Sequence, residues 1–229
     1  MHSVALKTLA ALVITAGSFT GPLAQTPAVA QTPSDSTPPS SPPPPSPSSS
    51  PSPIRFKRMI VPYRGVSQPI TFQRYERIGT PATTYFPASY LTASGGCTER
   101  GCGMGFFSQP DETNQAEGNF VRFFFPRQTV TVDQLRTLAT TGEQSLVELN
   151  PSWTVTATQT ANLELPWMKE ATAFTTPSGA KGRIILGEHN GKAFGILEVY
   201  QQNRETEFAP LFKAIYENLE FTPESSTAS

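Results

Sequence analysis

The chain has 229 residues, a formal charge of −1 and 37% hydrophobic residues, which suits one globular domain plus an unstructured part. That charge balance, with no polybasic run, excludes the long-range field that nucleic acid or strong membrane-surface binding draws on. The 23 prolines are the compositional outlier, and they cluster.

Residues 1–30 read as a secretory signal. Lys7 closes a short, weakly positive start, and Thr8 to Phe19 (TLAALVITAGSF) is an uncharged, mostly apolar run. Pro22 and the small-x-small site Ala28-Val29-Ala30 follow, so cleavage is expected near Ala30. Twelve residues make about 18 Å of helix, short of a hydrocarbon core of about 30 Å. No cysteine precedes Cys97, so no lipid anchor of the lipobox kind is expected. A secreted or periplasmic destination follows.

Gln31 to Pro53 holds ten prolines and nine serines in 23 residues, with Asp35 as its one charge. Such a segment buries too little surface to offset its ordering entropy, so a disordered, PPII-rich linker is expected over 31–53. The globular domain then spans 54–223, and 224–229 form a loose polar tail. A domain of that size buries roughly 70% of its unfolded surface around one core.

Within the domain, Arg55 to Ser67 mixes apolar and basic residues ambiguously. Ile70 to Ile78, Thr83 to Phe86, Ser89 to Ala93 and Met104 to Phe107 read as strands, and NFVRFFF (Asn119 to Phe125) is an aromatic strand stopped by Pro126. The period then changes. Thr131 with Gln134 forms a capping box, Val132, Leu135, Leu138 and Ala139 share a helical face, and Gly142 is placed as the left-handed C′ residue. Trp153 to Gln159 and Trp167 to Thr175 alternate as strands. Gly182 to Glu188 and Lys192 to Tyr200 flank Asn190-Gly191, the pair a type I′ hairpin turn needs. Both faces of that hairpin are apolar, so a sheet covered on both sides is expected. Phe208, Leu211, Phe212, Ile215 and Leu219 recur at helical spacing, with Pro210 fitting a first turn if the helix starts near Thr206. The order of elements points to α+β with an antiparallel sheet.

The run GRIILGEHNGKAFGILEVYQQNRETEFAPLFKAIYENLEF, with the upstream FVRFFFP, a helix and NPSWTV, resembles the PsbP-like domain family over about Ile70 to Thr222. In that family a hairpin ends in an aromatic, a polar turn follows, and a helix returns to an apolar strand end. The resemblance implies an αβα sandwich, with helices packed on both faces of the antiparallel sheet. It also implies a soluble extracytoplasmic protein, usually non-enzymatic, that binds or helps assemble membrane complexes, including photosystem II in the thylakoid lumen. The cysteine insert and the proline-rich stalk depart from the family's layout.

Little chemistry is left to the residues. With the signal removed, His189 is the only histidine, beside a hairpin turn where it is solvated, and no G-x-S-x-G motif supplies a serine for it. Structural zinc wants four Cys/His ligands, and three stand in two distant places. Asp111 and Glu112 lack the spacing of a calcium loop. No catalytic, metal or cofactor-binding residue is therefore assigned, and no cofactor is expected. Trp153, Trp167 and Tyr200 either line a cleft or pack as core aromatics. Arg122, inside an aromatic strand, either snorkels from an edge or pairs with an acid in a pocket.

The stretch GGCTERGCGMGF carries both cysteines. Cys97 and Cys102 face each other across a hairpin with Thr98-Glu99-Arg100-Gly101 as its loop, so a disulfide is expected, with Gly101 in the left-handed position. Leu91, Ala93, Gly95 and Cys97 then share a face with Cys102, Met104 and Phe106. The other face carries Thr92, Ser94, Gly96, Gly101, Gly103 and Gly105, a nearly bare ribbon that invites close contact. The leading expectation is a monomeric, secreted, non-enzymatic binding or assembly module for a membrane-protein complex or envelope component. A periplasmic hydrolase using carboxylates and a structural envelope protein with a proline-rich stalk are the alternatives.

Overall fold

In the computed structural model, eleven strands, two α-helices and one π-helical turn follow one another among the described residues. The structure describes residues 55–108, 118–143 and 145–222. The signal segment, the proline-rich linker, the Asp111-Glu112 pair and the polar tail lie outside the described residues.

The chain opens with a hairpin of β1 (Phe56–Tyr63) and β2 (Val66–Tyr75), in antiparallel register from Phe56↔Gln73 to Tyr63↔Val66. Arg64 (φ 53°) and Gly65 (φ 77°) make the turn, both left-handed as a type I′ turn requires. β3 (Ala82–Phe86) and β11 (Glu220–Phe221) complete a four-stranded sheet in the order β1-β2-β3-β11. The second sheet has seven strands, ordered β4-β5-β6-β10-β9-β8-β7. These are β4 (Leu91–Cys97), β5 (Gly101–Ser108), β6 (Phe120–Pro126), β7 (Thr154–Gln159), β8 (Met168–Thr175), β9 (Lys181–His189) and β10 (Lys192–Tyr200). Every pairing in both sheets is antiparallel. Asn190 (φ 50°) and Gly191 (φ 71°) turn the β9–β10 hairpin as expected.

The alternation along β9 and β10 divides the interior in two. Ile185, Phe194, Ile196 and Tyr200 enter one core, with Phe72 and Phe86 of the small sheet. Phe208, Leu211, Phe212, Ile215 and Tyr216 of α2 (Glu205–Glu217) complete it. Ile184, Leu186, Ala193, Leu197 and Val199 enter a second core with Phe174 and with Leu135 of α1 (Val132–Arg136). The large sheet is thus covered on both sides by apolar contacts. The architecture is α+β and mostly antiparallel β. The expected helical layers are met in part: the helices are few, and one face is shared between α2 and a second sheet.

Three local expectations are corrected. The capping box forms as read, with Gln134 N–H donating to Thr131 Oγ1 at 3.2 Å and Thr131 N–H to Gln134 Oε1 at 2.9 Å. The helix does not end on a left-handed Gly142, however; it widens into a π-helical turn over Thr137–Thr141, and Gly142 is extended at φ −86°. The hydroxyls of Thr137 and Thr140 donate back to the carbonyls of Asp133 and Arg136, which loosens the ordinary ladder. A Cβ on Gly142 would lie 2.6 Å from Thr137, so this glycine answers to space rather than dihedral freedom. Pro210 sits inside α2 rather than in its first turn, because the helix starts at Glu205.

Gly101 is the third. It lies in β5 with no positive φ. Its Cβ would fall 2.3 Å from the Phe125 carbonyl oxygen, so close strand packing keeps it glycine.

Candidate functional site

The disulfide forms at the tip of the β4–β5 hairpin. Thr98 N–H donates to the Gly101 carbonyl at 2.8 Å, which makes Thr98 and Gly101 a hydrogen-bonded pair and leaves Cys97↔Cys102 as the next, non-hydrogen-bonded one. Their Cα atoms stand 4.0 Å apart with S–S at 2.13 Å. Cys97 and Cys102 face the small sheet. Cys102 Sγ lies 3.0 Å from the Gly79 carbonyl oxygen, so the staple rests on the β2–β3 connection.

The register of the hairpin is the one its parity predicts, with Gly96↔Gly103, Gly95↔Met104 and Ala93↔Phe106 paired. β6 adds the next row: Gly101↔Pro126, Gly103↔Phe124, Gly105↔Arg122 and Phe107↔Phe120. One face of the β4–β5–β6 ribbon therefore brings together the glycines and Arg122, two features the sequence presents separately. It also brings Phe107, Phe120 and Phe124, all half-buried, which the sequence reading does not single out.

This face is more furnished than a bare ribbon. The Phe107 ring covers Gly105, where a Cβ would lie 2.6 Å from it, and Phe124 covers Gly101 at 3.0 Å. Between the two rings Gly103 meets only the Phe123 carbonyl oxygen at 3.3 Å, and its partner Gly96 only Arg77 at 3.9 Å. The result is a notch floored by Gly96 and Gly103 and walled by phenylalanines. The Arg122 guanidinium lies 5.0 Å from the Phe107 ring centre and 4.8 Å from that of Phe120, a double cation–π arrangement. Burial pushes this guanidinium below its usual range. α1 packs on β9 and β10, beside this strip.

The other candidates are dispersed. Trp153 stacks on Phe174 in one core, while Trp167 packs on Phe194 and Tyr200 on Phe212 in the other, so the three do not share a cleft. His189 is half-buried and stacks flat on Phe221 at 3.9 Å. A cavity of about 430 Å³ opens by the start of α2, lined by Lys181, Gln201, Asn203 and Glu205 among others; Arg122 is not in its wall.

The buried carboxylates also escape the sequence reading. Glu170 accepts from Arg136 Nε at 2.5 Å, which ties α1 to β8. Glu198, fully buried, is gripped by Arg183, which also donates to Glu164 at 3.1 Å and to the Tyr216 hydroxyl at 2.8 Å. Glu207 accepts from Tyr63, from Arg64 at 3.0 Å and from Arg204 at 2.8 Å. Among the described residues, no three His, Cys, Asp or Glu side chains gather as metal ligands would.

No family model matches the chain, and no curated protein matches it. Solved structures do. A crystal structure from Bacteroides thetaiotaomicron VPI-5482 aligns at 11% identity and a TM-score of 0.36, covering 66% of this chain and 48% of that one. The chain therefore spans about half the length of that protein. The solution structure of cyanobacterial PsbP (CyanoP) from Synechocystis sp. PCC 6803 aligns at 11% identity and a TM-score of 0.42, covering 66% of this chain and 92% of that one.

Proposed function

We propose that this chain is an exported, non-enzymatic binding module that docks on a membrane-protein complex or envelope component. In this reading 1–30 is a signal peptide, 31–53 a spacer, 54–223 a monomeric domain and 224–229 a tail. The destination is a periplasm or thylakoid lumen, as the sequence resemblance implies. One observation supports the docking role above others: Arg122 lies over both the Phe107 and Phe120 rings, beside the Gly96–Gly103 notch. Arginine and aromatic side chains dominate the energetics of interface centres, and a glycine floor admits another backbone. The carboxylate-hydrolase alternative draws no support from the buried acids, since each is engaged by an arginine.

The test is fractionation of the full exported protein. It should copurify with the membrane or envelope fraction, and Phe107→Ala with Phe124→Ser should release it, weakening retention about tenfold for each anchor lost. A protein free in every fraction, or a double variant that folds and is retained like wild type, would count against the reading.

A further inference from the structure

β1 is the terminal strand of the small sheet, and its outer edge has no partner strand among the described residues. Arg74 N–H donates to the Arg55 carbonyl at 2.8 Å, which fixes the pairing type along the hairpin. In the register of Phe56↔Gln73, the odd-numbered residues of β1 turn their N–H and C=O toward β2. Phe56, Arg58 and Ile60 therefore turn theirs toward the free edge; Pro62, next in the series, has no N–H. The same residues present their side chains outward: Phe56 is 60% exposed and Ile60 69%, with Arg58 exposed between them. Across the hairpin this face shows Gln73, Thr71, Pro69 and Ser67. It carries no carboxylate.

Exposed aliphatic and aromatic side chains on an unpaired strand edge are a template for another strand. We propose that the β1 edge binds an extended segment of a partner protein by strand addition. The segment carries a carboxylate opposite Arg58 and apolar side chains opposite Phe56 and Ile60. The charge pattern selects the occupant. A second copy of β1 (FKRMIVPY) brings Lys57 and Arg58 against the same pair with no acid in either strand. An acidic-apolar strand satisfies the outward N–H and C=O groups of these three residues and the arginine together. This edge is distinct from the β4–β6 face, so the two sites fail or succeed separately.

The experiment uses the full exported protein and the labelled peptide Val-Thr-Glu-Thr-Val-Thr, with a control in which Lys replaces Glu. Fluorescence anisotropy should show the Glu peptide binding about tenfold more tightly than the Lys peptide, with the preference reversed in Arg58→Glu. Ile60→Pro removes one outward N–H and leaves the β2 ladder intact, so it should weaken binding while the thermal midpoint stays near wild type. On binding, amide exchange should slow at Phe56, Arg58 and Ile60, whereas the amides of Lys57 and Met59 are protected beforehand. Equal affinity for both peptides, or unchanged exchange at those three amides, overturns the proposal. So does a failure of peptide binding accompanied by either of two results. Capture on phosphatidylglycerol vesicles lost in Arg58→Glu would assign the edge to a membrane. A dimer lost in Ile60→Pro would assign it to a second copy.

Discussion

Glu207 joins the first hairpin to the last helix. Burial works against its charge, but the hydrogen bonds from Tyr63, Arg204 and Arg64 overcome that and hold the carboxyl below its usual range. The same bond acts on the phenol: burial first, then the contact with Glu207, push Tyr63 from 10.0 up to about 12. The fold therefore favours the neutral phenol. Its contribution is complete below about pH 10 and is lost as the pH climbs toward 12. The stability gap between wild type and Tyr63→Phe, read from urea midpoints, should close across that window; a constant gap would refute the assignment. Glu198 tests the opposite extreme, a carboxylate with no exposure at all. Burial pushes it up against the pull of Arg183. Glu198→Ala would leave Arg183 to Glu164 and Tyr216 alone and should cost about 1–3 kcal/mol in denaturant unfolding. An unshifted midpoint would show that Glu164 and Tyr216 suffice to hold the guanidinium.

At the scale of elements, the β4–β5 hairpin separates two kinds of glycine. Gly101→Ala drives a methyl against the Phe125 carbonyl oxygen, 2.3 Å from the Cβ position, and should lower the melting midpoint clearly. Gly103→Ala meets only a carbonyl at 3.3 Å and should fold nearly as wild type while narrowing the notch. Removing the Cys97–Cys102 staple by double serine substitution should cost about 2 kcal/mol, as closing so short a loop implies; mass spectrometry on the protein isolated from its native host should find no free thiol. These elements also show what was legible. Asn190-Gly191 announced its turn because both residues favour positive φ, and its register already sets Arg183 opposite Glu198. The same turn at Arg64-Gly65 was missed because arginine at φ 53° carries no turn signature. Thr131 and Gln134 marked the start of α1, but its end was set by threonine hydroxyls turning back on the helix. The aromatic face could not be assembled from sequence: Phe107 meets Phe120 and Arg122 meets Gly105 only once the β5–β6 register is known.

For the whole molecule, Phe221 is the point where the parts meet. Its ring lies against Phe125 and Phe194 of the large sheet and under His189, while its backbone pairs with Ala82 of β3. Around it, Glu220 pairs with Arg74 at 3.2 Å and Thr222 N–H donates to the Pro81 carbonyl at 2.8 Å. Phe221→Ala should therefore cost about 2–3 kcal/mol, somewhat less than a fully buried ring. It should also speed amide exchange in β1–β3 more than in β8–β10. A uniform loss across both sheets would instead make the two a single cooperative unit.

β11 also dictates an order of events. The small sheet begins with β1, among the first described residues to leave the ribosome, and is closed by β11, among the last. Until α2 and then Phe221 emerge, the opening hairpin lacks the helix that covers it and the strand that closes its sheet. Through that interval the β1–β2 hairpin stays open. That open stretch is where a chain under synthesis is most exposed to aggregation.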